Sequence, residues 1–594
     1  MTTSTRTRAL PATVRSAVVL SLAGGLAAAP AVAGVVPEPV RHSAPDSAFT
    51  LDPVGSFETG VFDGSAAEIV AWYAAGQRTL VVNAQTGTVD VLDAADPTSP
   101  VKVAEISAVG VVAADESSIP GGTVANSVAV RPDGLAVVAL EAPQKTDDGW
   151  LLVVDVRREE PVVLGAYRVG ALPDMVALTP RGDRALVVAN EGEPTGDYSL
   201  DPEGSVSVVR LPKQLTDRGR SAQHGTAAIT QGDVATADFH AFEGDALPAG
   251  VRVFGGREDA GTGTPASPVS ENLEPEYVTV SDDGRTAWVS LQEANALAVL
   301  DVRAATVTDL LPLGTVDRRE VAFDPSDRDG GTNLDTWPVQ GLRLPDAIDS
   351  YRVRGTDYVV TANEGDARDY DAYSEEARVK DLGRDGIPPV CDAVAEEAGM
   401  TVAELQADEN LGRLNITLAQ GLDVEAGCYA ELFTYGTRSF SIFDGAGTLV
   451  FDSGSQLEEI VAEAVPDFFN SNHSETNLEG RSDDKGPEPE GVVLGEVAGR
   501  TYAFIGLERT GGVMVYDVTE PAEASFVTYV NNRDFSVSVE DADNVDVALA
   551  AAGDLGAEGL AFVPASESPT GAPLVVVGNE VSGTTTFFEV TDLR

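Results

Sequence analysis

Acidic side chains recur at two places in a repeated strand–turn–strand unit. The residue that opens the first strand is acidic in six of the seven units, and in chain order these residues are Glu68, Asn126, Asp174, Glu276, Asp346, Glu490 and Glu558. The residue that closes the second strand is acidic in six of seven units, in the order Gln85, Glu141, Glu191, Glu293, Glu364, Glu508 and Glu580. Because both places lie at the same end of an antiparallel pair, the spacing predicts two adjacent rings of carboxylates.

Carboxylates packed in rings repel one another by roughly 1–4 kcal/mol per close pair, so the repulsion must be offset. A hard cation such as Ca²⁺ could bind the carboxylates together with the amides of Asn126, Asn190, Asn363 and Asn579. Alternatively, arginines could form an ion-pair network, and the candidates are Arg368, Arg438, Arg481 and Arg509. The third alternative is that some carboxylates are protonated or solvated. The candidate ligands are Asp174, Glu191, Glu276, Glu293, Asp346, Glu364, Glu490, Glu508, Glu558 and Glu580.

Other motifs carry less chemistry. The loop 324–335 contains a D-x-D-G core at 327–330 that resembles half of a calcium loop. It lacks the spaced ligands and the terminal Glu of an EF-hand, so a solvated acidic loop is the favoured interpretation. The four histidines do not favour a multi-histidine zinc site. The sequence contains no G-x-S-x-G, P-loop or Cys-x-x-Cys motif.

Seven copies of one unit must position the two rings. The clearest copy, 275–302, has an alternating strand, an Asp-Gly turn, a second strand that ends in Glu and a third that ends in Asp. A fourth apolar run, such as 101–107, follows most copies. Four strands per unit are typical of a propeller blade. The pattern predicts an all-β chain, with a seven-bladed β-propeller of four-stranded antiparallel blades over 47–594.

Closure of the propeller follows from the two ends of the repeat region. The last copy ends at Val590, and an unpaired strand-like stretch, Phe49–Glu58, precedes the first copy. We expect this stretch to complete the last blade, because closure removes two exposed sheet edges.

One long insertion, about 365–437, interrupts the fifth unit between its second and third strands. It includes a predicted helix over 392–408 and both cysteines, Cys391 and Cys428. In an exported chain, two cysteines within one loop predict a disulfide that staples the loop.

The N-terminus predicts export. Basic residues precede an apolar run, 17–29, which is followed by the small residues of 31–33. This order predicts a signal peptide over 1–33, cleaved near Ala33, and then a flexible linker over 34–46. Beyond residue 40 we find no apolar stretch of transmembrane length, so we expect a secreted protein with no membrane insertion.

The charge balance limits the possible partners. Against 39 Lys and Arg stand 95 Asp and Glu, which gives a net charge of −56 at pH 7. Nucleic acids and anionic membranes need a positive surface, so both are excluded as expected partners. We expect a monomer that binds cations, a small ligand or an extracellular or cell-surface component.

Several long segments resemble the choice-of-anchor I family. They are NEGDARDYDAYSEEARVKDLG from Asn363, RSFSIFD from Arg438, RSDDKGPEPEGV from Arg481, RTYAFIGLERTGGVMVYDV from Arg500 and VVVGNEVSGTTTFFEV from Val575. The resemblance implies an extracellular propeller, similar to mesenchyme-specific cell surface glycoproteins. Some members are described as phosphatase-like, so the resemblance by itself does not assign an activity.

Two functions fit these observations, and the sequence leaves open whether the chain is an enzyme. The first is a secreted binding or scaffold protein whose acidic face holds cations or a ligand. The alternative is a metal-dependent hydrolase of phosphate esters or lactones, in which carboxylates hold Ca²⁺ and Arg438 or Arg509 receives the anion. Propellers host both kinds of function, so fold does not choose between them.

Overall fold

Antiparallel sheets make up most of the chain. The structure, a computed structural model, describes residues 34–180, 185–211, 229–254 and 268–593, and the predicted signal peptide lies outside them. Among these described residues, seven sheets have four or five strands each. We number them 1 to 7 in the order of their innermost strands along the chain.

Sheets 1 to 4 are each built from four consecutive strands. Their strands are Val70–Tyr73, Arg78–Asn83, Thr88–Asp93 and Val101–Ile106 in sheet 1; Val124–Val130, Leu135–Glu141, Asp148–Asp155 and Val162–Ala171 in sheet 2; Pro173–Leu178, Ala185–Asn190, Ser205–Arg210 and Val234–Ala237 in sheet 3; and Pro275–Val280, Thr286–Leu291, Ala296–Asp301 and Thr306–Pro312 in sheet 4.

Sheets 5 to 7 depart from this consecutive order. Their strands are Ile348–Val353, Thr356–Asn363, Ser439–Asp444 and Leu449–Asp452 in sheet 5; Val40–Ser43, Pro489–Val497, Arg500–Leu507, Val513–Asp517 and Ser525–Asn531 in sheet 6; and Phe49–Glu58, Ala557–Val563, Leu574–Asn579 and Thr584–Asp592 in sheet 7.

The first strands of the sheets form a closed cycle. Each contacts the first strand of the next sheet, and Ala557–Val563 of sheet 7 contacts Val70–Tyr73 of sheet 1. The second strands are buried on both faces because neighbouring sheets pack against them. In Leu135–Glu141, for example, the first six residues are buried, and the sequence is correspondingly apolar throughout. The predicted β-propeller class is confirmed.

The N-terminal segment closes the ring and adds one further strand. Phe49–Glu58 pairs with Thr584–Asp592 from Phe49 opposite Asp592 to Glu58 opposite Thr584, so the predicted closure is confirmed. Val40–Ser43 pairs with Ser525–Asn531 as the outermost strand of sheet 6. The sequence pattern, which predicts a linker over 34–46, did not reveal this strand, whose backbone extends the ladder of sheet 6.

The insertion lies within sheet 5, between Thr356–Asn363 and Ser439–Asp444. The single helix predicted over 392–408 is two short helices, Asp392–Glu397 and Val402–Leu405, because Thr401 caps the start of the second. Cys391 and Cys428 form the predicted disulfide, with their Cα atoms 5.1 Å apart. Short strands here and in the preceding loop are Thr315–Asp317, Gln340–Leu342, Asp369–Tyr370, Tyr373–Ser374, Glu376–Arg378, Asn415–Thr417, Leu422–Asp423, Cys428–Tyr429 and Phe433–Thr434.

In the part of the chain that the structure describes, three further α-helices connect the sheets. They are Val269–Asn272, Gln456–Ala464 and Val545–Ala552. None of the helices in the described part of the chain has the length and apolar character needed to cross a membrane.

Candidate functional site

The carboxylates that open the first strands lie where strand pairing is interrupted. In sheet 3 the pairing jumps from Pro173 to Val176, and the jump leaves out Asp174. The same jump of three residues occurs in sheets 4, 6 and 7, around Glu276, Glu490 and Glu558. An irregularity of this kind changes the direction of a side chain relative to regular alternation. A repeated local device therefore positions the first ring.

The residues that close the second strands lie beside the first ring, as their spacing predicts. The backbone N–H groups of Glu191, Glu508 and Glu580 each donate a hydrogen bond of 2.8 Å. In each case the acceptor is the carbonyl oxygen two residues before the first-strand carboxylate of the same sheet, and the acceptors are Leu172, Glu488 and Gly556. Both ring positions of these sheets therefore share one end of the strand pair.

Five members of the first ring line a small cavity of about 140 Å³. Its lining residues are Glu68, Ile69, Ala84, Asn126, Asp174, Met175, Tyr277, Asp346 and Glu558. Three buried carboxylate oxygens of the first ring, Oε2 of Glu276, Glu490 and Glu558, have no hydrogen-bond partner among the described residues. Glu276 is only 7% exposed, so water does not compensate its free oxygen well.

Among the residues that the structure describes, carboxylate oxygens converge in three groups. In each group, every residue contributes one carboxylate oxygen, and these oxygens all lie within 4.8 Å of one another. The three groups are Glu68, Glu558 and Glu580; Asp346, Glu364 and Glu490; and Glu364, Glu488 and Glu508. The oxygens could close around one cation in each group, since hard cations bind several carboxylates at once.

Burial sets the charge state of the ring. Burial, followed by repulsion from Glu580, raises the pKa of Glu68 to about 8. Burial and then Glu141 raise the pKa of Asp174 to about 7. Burial also raises the pKa of Glu490 and of Glu558 well above the usual range, and neighbouring carboxylates add to the effect. Burial and mutual repulsion thus favour the protonated form of each of these carboxyl groups.

One sector of the rings is neutralised by the protein's own cations. Lys485 Nζ lies 2.7 Å from Glu364 Oε1 and 3.2 Å from Glu488 Oε2. Arg509 lies 3.1 Å from both Glu488 and Glu508, and Arg481 lies 2.6 Å from Glu488. Burial would raise the pKa of Glu488, but Lys485, Arg481 and Arg509 together lower it below its usual range. In this sector, therefore, an ion-pair network offsets the repulsion between the carboxylates.

The four arginines considered from the sequence have different roles. Arg481 pairs with Glu488, and Arg509 pairs with Glu488 and with the ring member Glu508. Arg368 is buried and pairs with Glu274 at 2.6 Å. Arg438 is 3% exposed, and its guanidinium donates to Glu458 and to the carbonyls of 324, 482 and 484. The expectation that Arg438 receives an anion does not fit these contacts, because the group is buried and its Nη atoms already donate to protein oxygens.

Sequence reasoning missed Glu274, Lys485 and Glu488. Glu274 and Glu488 each stand two residues before a first-ring carboxylate, in the repeated tripeptide Glu-Pro-Glu of units four and six. That repetition was a signal in the sequence. The role of Lys485 left no such signal, because it depends on the path of the loop before sheet 6.

Comparison with known proteins identifies relatives of the chain. The model of the choice-of-anchor I domain matches residues 68–521. Gigasin-3a of Magallana gigas is 30% identical over 198 residues, which cover 32% of this chain and 69% of that protein. A mesenchyme-specific cell surface glycoprotein of Strongylocentrotus purpuratus is 29% identical over 281 residues, and the match covers 42% of this chain but only 35% of the glycoprotein.

Two solved structures resemble the chain distantly. The WD40 domain of a Toxoplasma gondii coronin has a TM-score of 0.40 at 10% identity, and the match covers 95% of this chain and 90% of that one. Saccharomyces cerevisiae Sqt1 has a TM-score of 0.39 at 7% identity, with coverage of 91% and 100%. Likenesses of this strength say nothing about function.

Proposed function

The chain belongs to the choice-of-anchor I domain family, and from this premise we propose that it is an extracellular binding or scaffold protein that holds a cation at the mouth of its channel. A related protein is described as a cell surface glycoprotein, which supports an extracellular location. We further propose that the chain is secreted after cleavage near Ala33. The mass of the mature protein, purified from the culture medium, would test this cleavage.

The observation that carries the cation proposal is the group formed by Glu68, Glu558 and Glu580. Their oxygens lie within 4.8 Å of one another. The strongest electrostatic neighbours of Glu558 are other carboxylates, namely Glu68, Glu580, Asp346 and Asp174. Its Oε2 atom is buried and has no hydrogen-bond partner among the described residues. A divalent cation such as Ca²⁺ would supply the missing positive charge and the missing ligand.

The carboxylate group around Lys485 provides a matched contrast. There the ammonium of Lys485 and the guanidinium of Arg509 already stand between Glu364, Glu488 and Glu508. We therefore assign the metal to the sector of Glu558 and not to the sector of Glu508.

Metal analysis and thermal unfolding would test this assignment. We expect the purified protein to contain Ca²⁺, and we expect Ca²⁺ to raise its melting temperature relative to EDTA, because a ligand of the native state stabilises it by mass action. Glu558→Gln should abolish the response to Ca²⁺, whereas Glu508→Gln should retain it. A melting temperature that is indifferent to Ca²⁺ and EDTA in all three proteins would overturn the proposal.

The hydrolase alternative receives less support. It requires a cationic side chain that is free to receive a substrate anion. Arg438 is buried among protein acceptors, and Arg509 is held by Glu488 and Glu508. The geometry therefore favours a binding role.

A further inference from the structure

A second cavity, which we call the chamber, lies among the first strands of the sheets. Its volume is about 260 Å³. Every residue that lines it belongs to a first strand of sheets 3 to 7, and examples are Ala177, Val280, Ile348, Val493 and Leu560. The first strands form a closed cycle, and five of the seven contribute to this one wall. The chamber is therefore part of the channel that the cycle encloses.

The chamber adjoins the cavity of about 140 Å³ at the first ring. Met175 and Tyr277 line both cavities. They directly follow the ring members Asp174 and Glu276 along their strands. Leu178, which also lines the chamber, lies four positions beyond Asp174, or about 13 Å along a strand. The two cavities are thus consecutive parts of the channel, the first acidic and the second behind it.

The wall of the chamber is mainly apolar, and its polar groups are satisfied by the protein. Asp349 accepts hydrogen bonds from the backbone N–H of Ser350 at 2.7 Å and from that of Leu494 at 2.9 Å, one on each carboxylate oxygen. The hydroxyl of Thr279 lies 2.8 Å from the hydroxyl of Ser350. The chamber therefore offers an occupant apolar contact, as the body of a small-molecule pocket does.

Lys485 shows which kind of cation fits between the carboxylates of the rings. Its primary ammonium lies 2.7 Å from Glu364 Oε1 and 3.2 Å from Glu488 Oε2. An ammonium has three N–H donors and therefore suits several carboxylate oxygens that converge. The protein itself thus places an alkylammonium in one sector of the rings.

The sector of Glu558 offers the same acceptors without such a partner. The oxygens of Glu68, Glu558 and Glu580 lie within 4.8 Å of one another. Oε2 of Glu558 is buried and has no hydrogen-bond partner among the described residues. Glu68 and Glu558 also line the acidic cavity that adjoins the chamber. An ammonium bound here would have an apolar space directly behind it.

We propose that the channel binds a small organic cation, a primary ammonium with an unbranched apolar body. The ammonium lies among Glu68, Glu558 and Glu580, and the body extends into the chamber. This inference rests on the proposed function in one respect, the cation site at Glu558, and it names a second class of cation for those carboxylates. Ca²⁺ and the ammonium ligand therefore compete, but only the ammonium ligand gains affinity from the chamber.

Titration of the metal-free mature protein with alkylammonium ions, followed by calorimetry, would test the proposal. Physiological ionic strength screens binding to the acidic surface. We expect hexylammonium to bind one equivalent about tenfold more tightly than butylammonium, because each buried methylene contributes roughly three- to fourfold. Hexanol, which has the same body without the charge, should bind at least tenfold more weakly than hexylammonium. Equal affinities for methylammonium and hexylammonium would overturn the proposal.

Variants of the two cavities separate this inference from the metal assignment. Ala177→Phe fills part of the chamber, so it should weaken hexylammonium at least tenfold and leave the response to Ca²⁺ unchanged. Val493→Phe, on another strand of the wall, serves if Ala177→Phe does not fold. Glu558→Gln should weaken hexylammonium at least tenfold, whereas Glu508→Gln should bind it as the wild type does.

The outcomes distinguish the two proposals. If the wild type binds Ca²⁺ but not hexylammonium, the inference fails and the metal assignment stands. If it binds hexylammonium but not Ca²⁺, the metal assignment alone fails. Hexylammonium affinity that is unchanged in a folded chamber variant and in Glu558→Gln would show that the ligand binds elsewhere and would overturn the inference.

Discussion

At the scale of single residues, equivalent repeat positions have different electrostatic environments. Glu508 and Glu580 close the second strands of adjacent sheets, yet Glu508 has Arg509 3.1 Å away, while Glu580 converges with Glu68 and Glu558. Burial comes first in raising the pKa of both groups, to about 8 for Glu508 and about 7 for Glu580. The two glutamates are therefore equivalent in the repeat but differ in the charge of the side chains around them.

The raised pKa of Glu68 predicts how stability changes with pH. The carboxyl has a pKa of about 8 in the folded protein, against an ordinary value of 4.5. Between these values the folded state retains a proton that the unfolded state has lost, so the free energy of unfolding falls as pH rises from about 4.5 to about 8. We expect the melting temperature in EDTA to fall between pH 5 and pH 8, and to fall less in Glu68→Gln. Identical pH profiles for the two proteins would contradict this expectation.

Lys485 should contribute strongly to stability. It is 9% exposed and contacts the carboxylates of Glu364 and Glu488. Lys485→Met leaves these buried charges short of a partner, so we expect a loss of about 3–5 kcal/mol in the free energy of unfolding, measured with denaturant. Lys380→Met, which removes a surface ion pair with Asp408, is the control and should change stability much less. Equal effects of the two substitutions would argue against a buried network at the rings.

At the scale of elements, the insertion packs its apolar residues into one core together with Phe323 and Val339 of the preceding loop. Its buried apolar residues include Val379, Leu382, Leu405, Leu411 and Leu414. The two short helices pack within this cluster, and the disulfide joins the residue before the first helix to the strand Cys428–Tyr429. The insertion is thus ordered by packing and by a covalent link, although it interrupts a sheet.

Removal of the disulfide should loosen the insertion and leave the sheets intact. Closing a loop of this length stabilises by roughly 3–4 kcal/mol in the chain-entropy model. We expect the double substitution Cys391→Ser and Cys428→Ser to accelerate hydrogen exchange in Asp392–Glu397 and Val402–Leu405. Exchange in sheet 1 serves as the internal control and should not change. Equal protection of the insertion in both proteins would show that packing alone orders it.

At the scale of the whole molecule, closure joins the two ends of the repeat region. Phe49–Glu58 is the outermost strand of sheet 7, while the other three strands of that sheet come from the end of the chain. Phe49 and Leu51 are buried, with exposures of 3% and 0%. The ring therefore depends on a contact between residues more than 500 positions apart, such as Phe49 and Asp592.

Two truncations of the mature chain would test closure. A chain that starts at residue 59 loses the closing strand, and the burial of Phe49 and Leu51 alone is worth about 3–6 kcal/mol. A chain that starts at residue 47 loses only the additional strand Val40–Ser43 and keeps the closing one. We expect thermal unfolding to show a much larger loss for the first truncation. If both truncated chains had the same melting temperature, the closing strand would not be needed for stability.

Local repetition allowed much of this protein to be predicted from its sequence. The strand–turn–strand spacing puts the two carboxylates of a unit at the same end of an antiparallel pair wherever the unit folds, so the position of the rings follows from chain order. Closure by Phe49–Glu58 and the pairing of Cys391 with Cys428 follow from equally simple counts of strands and cysteines. These features depend on short-range geometry or on numbers that a sequence displays directly.

Only the tertiary structure decided which carboxylates have a cationic partner. Lys485 reaches Glu364 across 121 positions of sequence. Val40–Ser43 likewise becomes a strand only because Ser525–Asn531 offers it an edge. The physical reason is that electrostatic and hydrogen-bond energies depend on distance and burial in space. The irregular paths of the loops determine these distances and this burial, and no periodicity in the sequence encodes those paths.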